Sequence, residues 1–175
     1  MNIGEYSFRR LTGTTFLAWF AVLGFDFLLH GGLLARLYTE PSPFLLPPED
    51  AFRLIPLGYV SFLIFEVFLI WLLIRLEIRG SKSGFLLGLK VGASVWGALV
   101  LGLLSISTAG FSLMAGWWIG QTIEAGIGAM MAAAGLETTR PWRMLTYVIL
   151  FVIAMIIITV ILQSTGLAPA MRIVN

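Results

Sequence analysis

Asp26 and His30, the chain's single histidine, stand four residues apart in the stretch GFDFLLHGGLL, Gly24–Leu34. On a helix that spacing projects a carboxylate and an imidazole from one face, close enough to share a proton or a ligand. Gln121 and Glu124 form a second such edge at i, i+3, and Glu66 stands alone in another apolar run. Carboxylates with one imidazole and one amide oxygen can accept and release a proton, or hold a cation. In a chain without cysteine the same set suits divalent Mn, Fe or Zn better than a soft metal. His30 is followed by Gly31 and Gly32, which leave space for a flat tetrapyrrole, haem or pigment, with the imidazole as one axial ligand.

These residues point to binding more than to catalysis, and no catalytic residue is assigned. One histidine cannot supply the paired Glu-x-x-His of di-iron bundles, and the zinc-protease spacing H-E-x-x-H is absent. The glycines of the third apolar run precede no phosphate-loop consensus.

The elements that hold these side chains follow from composition. The chain has 175 residues, 59% hydrophobic and 11% charged, with a mean hydropathy of +0.97. That is too little polar surface for a soluble globule of this size, so the chain belongs in a lipid bilayer. A formal net charge of +2 gives no reason to expect nucleic acid as a partner. Apolar runs of membrane-crossing length predict an all-α, polytopic helical bundle, a single domain over 1–175 with five transmembrane helices at about 14–37, 55–76, 85–106, 112–134 and 145–166. The third and fourth runs are continuous in hydropathy and together too long for one crossing, so the chain must fold back at SISTAGFS, Ser105–Ser112. Residues 38–54 contain four prolines and are expected to form an extracytoplasmic loop. The fifth run is branched and apolar nearly all round, which suits a peripheral helix. Arg9 and Arg10 ahead of the first run resemble a signal sequence. That run is too long for one and carries two ionisable residues, so it is expected to remain in the mature protein.

Basic residues orient the bundle. With five alternating spans, Arg9, Arg10, Arg75, Arg79, Lys82, Arg140 and Arg143 share one side, against Arg36, Arg53 and Arg172 on the other. The positive-inside rule then puts the N-terminus in the cytoplasm and the C-terminus outside, in a membrane of the bacterial inner type. On these bounds Asp26, Glu66 and Glu124 fall at the middles of spans one, two and four, with His30 and Gln121 one turn further out. Each ionisable group at such a depth costs about 2.5–3.5 kcal/mol on insertion scales. Meeting in one polar pocket lowers that cost, so the five residues are expected to converge. Gly88 and Gly92, and Gly116, Gly120 and Gly128, repeat at helical spacing and are expected to let helices pack closely.

Asp26 amid the first span, GFLLGLKVGASVWG in the third and IEAGIGAMMAAAG in the fourth together resemble small polytopic bacterial membrane proteins grouped as domains of unknown function. The resemblance covers about 14–135 and implies architecture alone. Two functional classes follow from the residues. One is a small integral membrane protein that binds an ion, a metal or a proton through Asp26, His30, Glu66, Gln121 and Glu124. The other is an accessory subunit that packs against other membrane subunits or a second copy, with the polar residues fixing helix register or His30 holding a pigment or haem.

Overall fold

The computed structural model describes residues 6–39 and 42–169, and among them every regular element is helical. Ser7 opens α1 (Phe8–Leu28) by accepting the Arg10 amide on its hydroxyl, which satisfies one of the free donors of a first turn. The helix then widens into a single π turn, Leu29–Leu33, and tightens to a 3-10 turn, Ala35–Tyr38. This change of winding falls on His30, Gly31 and Gly32, where two glycines weaken the α-helix. The Gln163 side-chain amide donates to the Gly31 carbonyl at 2.9 Å, replacing a partner in the disturbed ladder.

Helix α2 (Pro48–Arg75) begins well before the expected position 55. Proline at the first helical position costs nothing there, because the missing N–H would have had no intrahelical partner. The expected loop 38–54 is therefore shorter, and its last residues belong to α2. A turn through Gly80, at φ +79°, leads to α3 (Ser81–Ile106), and a reversal within Ser105–Ser112, as expected, leads to α4 (Phe111–Glu137). Helix α5 (Pro141–Ser164) closes the bundle.

Packing centres on α4. It runs antiparallel along α3, with Gly84 facing Ala129 and Ala133, Gly88 facing Ala125, Gly92 facing Thr122, and Gly97 facing Trp118. On its other sides it packs against α1 and α2. Gly120 receives Leu29 and Gly116 receives Leu34, so the expected packing role of these glycines is seen as close approach. Helix α5 lies against α1, where Val152 fills the space over Gly24.

Four helices are long and apolar enough to cross a membrane, Phe8–Leu33, Asp50–Arg75, Ser81–Ile106 and Pro141–Ser164. The chain thus reads as an integral membrane protein, but the expectation of five spans by apolarity is corrected. Helix α4 falls short because its glycines, Thr122, Gln121 and Glu124 lower its mean hydropathy. The same residues suit it to the bundle's interior, where fourteen of its side chains or glycines are buried.

Arg9, Arg10, Arg75, Arg79, Lys82, Arg140 and Arg143 lie at the end of the bundle where α1 starts and α4 finishes. Arg36 and Arg53 lie at the opposite end, and Arg172 is outside the described residues. At the basic end Arg10 donates from Nη2 to the Thr138 carbonyl at 2.9 Å and from Nε to that of Gly135 at 3.4 Å. A cation on the last carbonyls of a helix complements its dipole. Arg10→Ala is expected to destabilise the bundle by about 1–2 kcal/mol, measurable as a lower unfolding midpoint in detergent.

Candidate functional site

Three of the expected residues meet around one small cavity. Glu66 from α2 is 1% exposed, and Gln121 and Glu124 from α4 are 4% and 2% exposed. They line a cavity of about 10 Å³ together with Val22, Phe62, Phe65, Trp96 and Ala125. That volume holds about one water molecule. The Glu66 carboxyl reaches it by lying directly on Gly128, where a methyl group would collide with Oε1. Gly128 is thus a cradle for an acidic side chain, beyond the helix-packing role read from its spacing.

The polar atoms around this cavity are short of partners. Glu66 Oε2, both carboxyl oxygens of Glu124 and Gln121 Oε1 are buried and make no hydrogen bond within the protein. Leaving such groups unmatched inside a bundle costs about 1–3 kcal/mol each. Toward the basic end the cavity is closed by a dry layer that includes Ala18, Leu69, Leu73, Ala129, Ala132 and Ala133.

Asp26 and His30 stand beside this cavity and do not line it. The packing of Thr14 on Gly135 and Leu29 on Gly120 fixes the α1–α4 register and sets Asp26 at about the height of Glu124. Asp26 and Glu66 are the acidic neighbours of Glu124. The Asp26 carboxylate itself turns to His30, with Oδ1 at 3.2 Å from Nε2. Of the five residues expected to meet, Glu66, Gln121 and Glu124 line the cavity, and Asp26 and His30 pair beside it. His30, four residues on along the same face, is the partner of that carboxylate. Gln121 reaches between the groups, its amide nitrogen 3.4 Å from His30 Nε2, a proximity and not a hydrogen bond once the imidazole proton is on Nε2, since both nitrogens are then donors.

Two residues that the sequence did not mark as polar partners complete the arrangement. Tyr38, at the end of the 3-10 turn, sets its hydroxyl 2.5 Å from His30 Nδ1 and receives the Trp117 indole N–H at 2.6 Å. The Asp26 carboxylate facing Nε2 calls for a hydrogen on that nitrogen, so an imidazole with one hydrogen accepts the phenol hydrogen on Nδ1. The imidazole proton then sits on Nε2, directed at Asp26. Burial raises the Tyr38 pKa above the ordinary tyrosine value, so the phenol keeps the hydrogen that this chain requires. His30 retains 30% exposure of its side chain and Asp26 13%, so this group is the more open of the two.

This geometry bears on the metal and tetrapyrrole readings. Among the described residues no three His, Cys, Asp or Glu side chains come together as a metal-holding group. The Mn, Fe or Zn set therefore lacks its convergence. Both His30 nitrogens face protein groups, and the space beside Gly32 is filled by Leu162 and Leu28. A flat macrocycle finds neither an open ring nitrogen nor the expected gap.

No family model, curated protein or solved structure matches this chain. The functional reading accordingly rests on the site's own chemistry. Tyr38→Phe is expected to leave the Trp117 N–H and His30 Nδ1 without partners, lowering stability by about 1–3 kcal/mol. Thermal unfolding measures the loss, and the imidazole nitrogen resonances report a changed tautomer.

Proposed function

We propose that this chain is a small integral membrane protein that takes up a proton or a small cation in the Glu66–Glu124 pocket, with His30 and Asp26 at its outer approach. Helix α4 crosses the bilayer with the others as a fifth, shielded span, because it runs antiparallel to α3 along its length. The excess of arginine and lysine at one end sets the N-terminus in the cytoplasm.

The observation that carries this reading is the set of unpartnered carboxyl oxygens on Glu66 and Glu124 around a water-sized cavity. A bare carboxylate in such surroundings costs several kcal/mol, so each carries a proton, shares one or meets a cation. Interhelical glue alone would have its oxygens bonded to a neighbouring helix. The dry layer toward the basic end and the more open His30 on the other side favour exchange from outside.

Infrared spectroscopy of the purified protein tests this. A carbonyl band from a protonated, buried carboxyl is expected, diminished in Glu66→Gln and in Glu124→Gln, and responsive to pH. If neither substitution changes the spectrum while both prevent association with other membrane proteins, the accessory-subunit reading replaces this one.

A further inference from the structure

The pocket's unmatched atoms restrict what can occupy it. Glu66 Oε2, Glu124 Oε1 and Oε2, and Gln121 Oε1 are all acceptors, and the remaining lining is aliphatic or aromatic. Neither lysine nor arginine lines the cavity, and Asp26 on α1 is a further acidic neighbour of Glu124. An occupant must therefore donate hydrogen bonds or bring positive charge.

Size and valence narrow it further. A cavity of about 10 Å³ has no room for an ion with its water shell, so the ion enters bare and the four oxygens stand in for its water. Calcium takes about 6–8 oxygen ligands, and magnesium keeps several waters. Four protein oxygens in a space for one small body serve neither. A carboxyl pair that keeps one proton carries a single negative charge, which matches a monovalent ion, and so small a cavity favours the smaller alkali ions over potassium.

Resting on the pocket as read above, we propose that its occupant is a single dehydrated sodium ion, bound by Glu66, Glu124 and Gln121 and exchanging with a proton on the carboxyl pair. One sodium enters as one proton leaves, so the pocket's net charge is unchanged. When sodium is absent, the proton supplies one donor among the four oxygens, and the others stay unmatched. Of the titratable groups around the pair, Asp26 and His30 on α1 and Tyr38 on the 3-10 turn form their own hydrogen-bonded chain. This leaves Glu66 and Glu124 as the groups that exchange.

The test is thermal unfolding of the full chain in detergent, at constant ionic strength, with sodium, lithium, potassium or choline chloride. Sodium is expected to raise the midpoint where choline does not. Its apparent affinity should fall about tenfold for each pH unit of acidification as one proton competes. Glu66→Gln and Glu124→Gln should each abolish the sodium shift. Should those variants fail to fold, binding of radioactive sodium to the unaltered protein, displaced by acid, gives the same answer. Equal midpoints in sodium and choline, with no acid-displaceable sodium, overturn the proposal. If the infrared carboxyl band persists in that case, the pocket takes protons alone. If it is absent as well, the reading of the pocket falls with the ion.

Discussion

Replacing Gly88 by valine is expected to disrupt the α3–α4 pair, with a loss of stability of about 3 kcal/mol or more. A methyl group at this position overlaps the carbonyl of Ala125 and comes within 2.8 Å of the Ala129 side chain. Backbone cannot turn aside as a flexible side chain can, so the helices must separate. Gly84 and Gly92 face the same helix one turn to either side, and both would lose contact when the seam opens. Ala125 also lines the Glu66–Glu124 cavity, so the disturbance reaches the pocket. Unfolding in detergent should show a much lower midpoint, together with loss of any sodium-dependent shift. By contrast, Gly102→Ala on the same helix meets nothing within 4 Å and should leave stability unchanged or slightly raised. Similar midpoints for the two variants would show that the close approach at Gly88 does not hold the bundle together.

How much of this arrangement could be read from the residues depends on the kind of information each feature needs. Helix positions are local, and long apolar runs with a small polar break at Ser105–Ser112 located α3 and α4 closely. The start of α2 is also local, but prolines give two opposite signals. They forbid a helix that continues through them and welcome one that begins there, and only the structure shows Pro48 beginning one. Depth was legible too, since counting residues along the spans brought Glu66, Gln121 and Glu124 near one another. Direction around each helix axis was not. Asp26 has the right height for the cavity but turns to His30, and that outcome depends on how α1 is rotated against α4. The π turn adds to the difficulty, because it shifts the phase of everything after Leu29. Tyr38 consequently meets His30 from a position that regular helical spacing would not pair with it. Gly128 hid its role differently. It continues a small-residue series that signals helix contact, and nothing in one sequence separates a glycine under a helix from a glycine under a carboxyl group.

Glu66→Met is expected to make the protein more stable in sodium-free solution, by about 1–3 kcal/mol, while abolishing uptake of any cation at the pocket. Methionine matches glutamate in length, and its flexible thioether can occupy the cleft over Gly128. The substitution removes an oxygen that is 1% exposed with its residue and has no partner, so no hydrogen bond is lost from Oε2. What disappears is the cost of keeping an unmatched polar atom inside the bundle, as when buried charged groups are exchanged for apolar ones of similar volume. Glu66→Ala should behave oppositely, because truncation leaves a void over Gly128 and costs packing. Comparing the two separates polarity from volume. A residue kept for architecture would be destabilised by both changes, in the presence or absence of sodium. A residue kept for binding should show the methionine variant above the unaltered protein without sodium, and the difference narrowing as sodium is added, because the ion stabilises only the chain that can hold it. That sodium-dependent narrowing ties stability to occupancy of the pocket, and its absence would return Glu66 to a structural role.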